Sequence, residues 1–410
     1  MKKNFKRFAY LLLFVAVSAS CKKDKPTPDP VPTPGTDPAP VETNYVSAAP
    51  LTKFTGADIQ AMAAGAGFTK NAPLFKYDVE YVKLVYKTKY KGKEINASGL
   101  LGIPKNTPSA PSIISAQHGT LFVDQAAPTN ITNSTEAFSG LEMLASAGFI
   151  TAVPDYIGYG DTKNEQHPYY DQEYAASAVV DMLTATKAYL AKEKIATSNR
   201  LFLTGYSEGG YITMAAQKEI ESNAAHGLTL TAVSAGAGAY DLTEMLRKVA
   251  NATTYDEPGF LATLLISYNN LYEWNRPLID FYQKQYADKL PSLLDGTKNR
   301  REINNALDKS TSKLFNPTFY ANLKVAGQET KLKEALEKNS FNNWTPKTQL
   351  KLFHGAKDEA VFIETSRITA DRFVKAGANV SYKEIANQTH QGAYLPMIEE
   401  TLAWFISLDK

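Results

Sequence analysis

Strands alternating with helices predict an α/β fold: a mostly parallel central sheet flanked by helices, with a helical cap insertion near its C-terminal end. Three observations carry this expectation. Short apolar runs recur at 112–116, 149–154, 201–204, 231–235, 349–353 and 380–385, each long enough for one strand. Runs of helical spacing separate several of them, most clearly Tyr174–Ala191 and Tyr211–Glu221. The stretch 242–345 breaks the alternation, because it is helical by pattern and rich in aromatic residues. An insertion there would lie over the C-terminal ends of the strands, where open α/β sheets bind ligands.

The N-terminus precedes any of this. Met1–Arg7 is basic, Phe8–Val17 is apolar but too short to span a bilayer, and Ser18, Ala19 and Ser20 then lead to Cys21, the sole cysteine. Ser-Ala-Ser-Cys resembles a relaxed bacterial lipobox that lacks the usual leucine. That resemblance implies a signal peptide over 1–20, lipidation of Cys21, and a lipid-anchored lipoprotein of the bacterial cell envelope, on the outer membrane. Residues 21–50 read as the anchor and a tether. Pro26, Pro28, Pro30, Pro32, Pro34, Pro38 and Pro40 alternate with small and polar residues, which favours polyproline II and builds no core. At about 3.1 Å per residue, such a run holds the rest of the chain on the order of 60 Å from a membrane.

Residues 51–410 are then the catalytic domain, with the cap at about 242–345. Thr52–Gly67 has the look of a short helix. Val79–Lys89 and Ile95–Ile103, joined by a turn at Tyr90–Lys93, predict an antiparallel hairpin. Glu136–Ala147 has helical spacing, and Ala393–Leu408 closes the chain as a helix. With 44 basic and 42 acidic residues, the charge is close to balanced and gives no footprint for a nucleic-acid partner. No His-x-x-x-His spacing or phosphate-binding glycine loop stands in the right context, so neither metal nor cofactor is expected.

The chemistry gathers at Gly205-Tyr206-Ser207-Glu208-Gly209. A strand leads in and a helix leads out, the context of a nucleophile elbow. Ser207 would stand on a sharp turn as nucleophile, but serine needs a base and an acid. His354-Gly355-x-x-Asp358-x-x-Val361 follows a late strand, which makes Asp358 the acid and Glu359 its neighbouring alternative. His354 comes straight off the strand and reads as structural. His390 is the base, because only it lies beyond both serine and acid in the order Ser…Asp…His. His118-Gly119-Thr120 follows an early strand, so the backbone N–H groups of Thr120 and Glu208 are the candidate oxyanion donors.

Val153-Pro-Asp-Tyr-Ile-Gly-Tyr-Gly160, His167-Pro-Tyr169, Gly205-Tyr-Ser-Glu-Gly-Gly210, Ala97–Pro104 and His118-Gly119 together resemble the secretory lipase-like group of α/β-hydrolases. The resemblance runs from about Tyr77 to the C-terminus. It implies the α/β-hydrolase fold, carboxylic ester hydrolysis on a small-molecule or polymer-attached ester, and Ser207, Asp358 and His390 as triad. Asp155 and His167 would then be supporting residues, Asp155 fixing the loop beside the oxyanion turn. Two alternatives share parts of this pattern: a prolyl-oligopeptidase-like serine peptidase, and a surface binding protein on an inactive hydrolase fold.

Overall fold

The computed structural model describes residues 43–68, 70–134 and 139–410. The expected signal sequence, Cys21 and the proline run at 22–40 lie outside the described residues. The strands are β1 (Tyr45–Phe54), β2 (Val79–Tyr90), β3 (Lys93–Pro104), β4 (Ile113–Gln117), β5 (Ile150–Pro154), β6 (Leu201–Tyr206), β7 (Ala232–Gly236), β8 (Leu350–Gly355) and β9 (Val380–Ile385). They form one described sheet in the order β1-β2-β3-β5-β4-β6-β7-β8-β9. From β5 to β9 every pairing is parallel, while β1, β2 and β3 extend the sheet as an antiparallel edge.

The helices are α1 (Gly56–Gly65), α2 (Gln172–Lys192), α3 (Glu208–Ser222), α4 (Leu242–Asn251), α5 (Pro258–Leu271), α6 (Lys284–Ala287), α7 (Leu290–Leu293), α8 (Arg300–Ala306), α9 (Thr311–Leu314), α10 (Pro317–Leu323), α11 (Thr330–Lys338), α12 (Glu364–Lys375) and α13 (Tyr394–Leu408). Because successive strand residues face opposite sides, β6 sends Leu201 and Leu203 into one core and Phe202 into the other. The first core holds α2 and α3. In the second, Phe202 stacks on Phe405 of α13 at 4.6 Å between ring centroids. Each large apolar side chain so buried contributes about 1.5–3 kcal/mol. Helices α4 to α11 all fall between β7 and β8.

Several expectations need correction. The tether was expected to reach residue 50, but Tyr45 already enters β1, which pairs with β2 from Tyr45↔Tyr86 to Phe54↔Val79. Pro50 is tolerated there because β1 is an edge strand, and a register shift sits between Pro50 and Thr52. The helix expected over Thr52–Gly67 starts later. Thr55 caps it, its hydroxyl accepting from Asp58 N while the Asp58 carboxylate returns a bond to Thr55 N, a capping box. The helical reading of Glu136–Ala147 is a tight 3-10 run over Glu142–Ala147. Helix α12 was not anticipated, because it buries Thr365, Ser366 and Thr369 where an apolar stripe would have announced it.

Candidate active site

Strand β6 is buried along its length and delivers Ser207 at φ 61° and ψ −127°. Positive φ is costly for a residue with a side chain, about 1–3 kcal/mol, and is held here by its neighbours. Two glycines allow the turn. A Cβ on Gly205 would run into the Gly209 carbonyl, and one on Gly209 into the carbonyls of Gln117 and His118. The strand ends and the start of α3 therefore approach more closely than any side chain permits.

Ser207 meets His390 across the sheet edge, with Oγ 2.8 Å from His390 Nε2. His390 Nδ1 lies 2.7 Å from Asp358 Oδ2. The other oxygen of Asp358 accepts the backbone N–H groups of Ala360 at 2.9 Å and Val361 at 2.8 Å. Burial pushes the Asp358 carboxyl up, but hydrogen bonds from His354 and His390 outweigh it and hold the group well below the usual carboxylate range. An ionised Asp358 fixes the proton of His390 on Nδ1, leaving the Nε2 lone pair for the serine hydroxyl.

The backbone of His390 is held as firmly as its ring. Glu359 accepts its N–H at 3.1 Å, and the Tyr206 hydroxyl donates to its carbonyl at 2.6 Å. Glu359, weighed from the sequence as the alternative acid, thus contacts the histidine main chain, while Asp358 is on the ring. Tyr206, the residue before Ser207, ties the elbow to the loop that carries His390. Its neighbours in sequence gave no sign of this, since the contact spans 184 positions.

Gly119 lies against Ser207: a Cβ there would sit 3.6 Å from Ser207 Cβ. Thr120 comes next, its hydroxyl 2.9 Å from the Tyr169 hydroxyl. Glu208 opens α3, whose first N–H groups have no acceptor within the helix. Its side chain is buried against His167, Oε1 to Nε2 2.6 Å. The other ring nitrogen of His167 donates to the Ile157 carbonyl at 2.7 Å, so the contact with Glu208 holds a second proton. Burial pushes His167 down, yet the charge of Glu208 and its hydrogen bond win and raise it above the ordinary histidine range. His118 takes the opposite course. Burial lowers its pKa and keeps it neutral, with Nδ1 2.8 Å from the Gly119 carbonyl. Asp155 accepts from Thr129 N and Oγ1 and from Ser98 Oγ, which ties the end of β5 to β3 and to the turn at Pro128–Asn130.

The cap closes over this edge. Ser207 is 9% exposed and His390 4%. Tyr255, in the cap, donates to the Ala360 carbonyl of the acid loop at 2.6 Å. Phe260 of α5 stacks on Phe122, two residues past Thr120, at 5.5 Å. A cavity of about 240 Å³ lies beside the turn after Thr120, lined among others by Leu121, Phe122, Tyr159, His167, Ile266 and Leu294. Among the described residues no cluster of His, Cys, Asp or Glu could hold a metal ion.

Such an arrangement can activate a hydroxyl and stabilise an oxyanion. The secretory lipase family model matches residues 126–408. The secreted triacylglycerol lipase LIP2 of Malassezia furfur is 22% identical over 328 residues, 76% of this chain and 67% of that one. Among solved structures, a hydrolase of Legionella pneumophila superposes with a TM-score of 0.82 at 26% identity, covering 89% of this chain and 98% of that one. The rice cell wall degrading esterase LipA of Xanthomonas oryzae reaches 0.76 at 22% identity, over 88% and 96%. The chain has the α/β-hydrolase fold, belongs to the secretory lipase family, and is a carboxylic ester hydrolase.

Proposed function

We propose that the chain cleaves esters by acyl transfer to Ser207, with His390 as base and Asp358 as the acid that orients it. The hydrogen-bonded series Ser207–His390–Asp358 is the observation that supports this reading. As Oγ bonds to the ester carbonyl carbon, Nε2 takes its proton. The oxyanion that forms turns toward the N–H groups of Thr120 and Glu208. His390 then passes the proton to the alkoxide as the C–O bond breaks and the alcohol leaves. Water, deprotonated by the same nitrogen, releases the acid and restores the serine.

The test is a set of three variants. Ser207→Ala, His390→Ala and Asp358→Asn should each lower kcat by roughly 10³-fold or more with folding retained. An active Ser207→Ala enzyme overturns the assignment. A mild Asp358→Asn beside a severe Glu359→Gln moves the acid to Glu359. Turnover of a prolyl-peptide anilide in place of p-nitrophenyl esters transfers the case to a peptidase, and failure of Ser207 to react with a fluorophosphonate indicates an inactive site.

In the same reading the enzyme works outside the cytoplasm, as the secretory family supports, anchored through acylated Cys21. Among the described residues no helix is long and apolar enough to cross a membrane. A tether that holds the site away from the bilayer favours soluble or polymer-attached esters over bulk lipid. Activity should peak at short to medium acyl chains, and a palmitoyl optimum on p-nitrophenyl esters would contradict that preference.

A further inference from the structure

The triad carboxylate serves two imidazoles. His354 Nε2 lies 3.1 Å from Asp358 Oδ2, the same oxygen that faces His390 Nδ1. His354 and the Asp358 carboxylate are both fully buried. The direction of the bond is set by the second acceptor of Nε2. It is 2.9 Å from the Val361 carbonyl, which can only accept, so Nε2 carries the proton. On the far side of the ring Nδ1 is 2.7 Å from Ser366 Oγ, whose hydroxyl fills the lone pair and locks this tautomer. With Ala360 N and Val361 N on Oδ1, both oxygens of the acid have N–H groups within reach, and on Oδ2 these are two imidazoles, the His354 proton being shared with the Val361 carbonyl.

We propose that His354 is a positioning residue for the catalytic base: it shares Asp358 Oδ2 with His390, and so sets both the rotamer of the acid and the charge it offers to the imidazolium. The proposal rests on the acyl-transfer reading of Ser207, His390 and Asp358. A carboxylate oxygen that accepts two N–H groups gives less of its charge to each. Without His354 the full charge falls on His390, whose cation is then held more tightly and whose Nε2 becomes available only at higher pH. The acid also loses one of the bonds that prevent its rotation, and a misaligned base slows the chemical step.

The groups facing this pair are few. Around His390 stand Asp358, Glu359 on its backbone N–H, Tyr206 on its carbonyl and ring, and Ser207. Around His354 stand Asp358, Ser366 from α12, and Glu384 from the adjoining strand β9, where His354 pairs with Glu384. Glu384 is itself bound by Arg367 in a two-bond ion pair. Among the described residues, no second carboxylate therefore reaches the shared oxygen of Asp358.

His354→Met removes the donor and keeps the volume; His354→Gln restores an N–H at the matching distance. In the full chain, His354→Met should lose about tenfold or more in kcat. The acid limb of kcat/KM should move up by about half to one pH unit. His354→Gln should recover most of the rate and return the limb toward the wild type. Ser366→Ala, which frees the ring to turn, should shift the limb the same way by less, and decides the matter where His354→Met does not fold. In an Asp358→Asn background the His354 substitutions should add little. An acid limb that stays fixed in both His354→Met and Ser366→Ala overturns the proposal, as does full additivity with Asp358→Asn. Unimpaired Ser207→Ala and Asp358→Asn enzymes would instead overturn the acyl-transfer reading beneath it.

Discussion

Glu208 and His167 share a proton in a contact that is 2% and 11% exposed at its two side chains, directly behind Ser207. Removing one partner of such a pair strands a buried charge, at about 3–5 kcal/mol. We expect His167→Leu to lower stability by about that amount, and His167→Leu with Glu208→Leu to regain much of it. Thermal unfolding of the three chains checks this, and an unchanged single variant would contradict it. The sign of the pH dependence is set by the raised pKa of His167. Its contribution is complete below the unfolded value, about 6.5, and is lost as the pH rises through the higher folded value. Asp358 acts in the opposite sense: its pKa is depressed, so its contribution is present above about 3.9 and lost as the pH falls through the folded value. The midpoint should therefore fall at alkaline pH in the wild type, and the alkaline part of that fall should vanish in His167→Leu. Ser207 was legible in the sequence because the elbow is a local pattern, and His390 because so few histidines competed. That His354 also faces Asp358 was not legible, because the sequence does not show the path of the loop that brings the two together. The His167–Glu208 pair was not legible either, since the partners stand 41 positions apart and neither spacing nor composition joins them.

Elements, not single side chains, fix the elbow. At Gly209 the start of α3 touches the end of β4, so a Cβ there must move the carbonyls of Gln117 and His118. We expect Gly209→Ala to cost about 1–3 kcal/mol and to lower kcat by roughly 100-fold, because the shift displaces the oxyanion turn. A variant with normal kcat would show that the turn is not held by this contact. The cap grips the acid loop through Tyr255, whose hydroxyl binds the Ala360 carbonyl. Tyr255→Phe should cost about 1–3 kcal/mol, as the carbonyl is left buried without its donor, and urea unfolding measures it. The sheet's first strand gives a sharper test. The sequence hid β1 because Ala48, Ala49 and Pro50 come after a proline-rich lead and look like more of it. An edge strand pairs on one side only, so it needs neither strict alternation nor every N–H. Besides its ladder, this segment brings Asn44, which donates to Asp181 at 2.7 Å, and Tyr45, which packs on Tyr189. A chain beginning at Thr43 should keep the full midpoint, whereas one beginning at Leu51 should lose about 2 °C or more. Equal midpoints would place β1 outside the cooperative unit.

At the scale of the whole molecule, the proposed acyl anchor at Cys21 has its own test. Cys21→Ala should release the enzyme from membranes while leaving kcat on soluble esters as it was. Equal retention in the membrane fraction would reject an acyl anchor. Two acyl chains hold stably where one binds marginally, so partial release of the unsubstituted chain would indicate incomplete acylation. The cap has a different relation to the rest. It leaves the sheet after β7 and returns at β8, and those two strands are direct neighbours, Val233 beside Leu350 and Gly236 beside Phe353. The whole helical stretch is thus a detour between parallel neighbours, leaving at the C-terminal end of β7 and re-entering at the N-terminal end of β8. A detour with that geometry can lengthen, shorten or be exchanged without moving Ser207, Asp358 or His390, because none of the three is carried on it. Its remaining ties to the chemistry are contacts such as that of Tyr255 with Ala360 and that of Phe260 with Phe122. Selection can therefore retune what enters the site at a different tempo from what happens there, and lineages with one reaction centre can diverge in diet by rewriting only the roof.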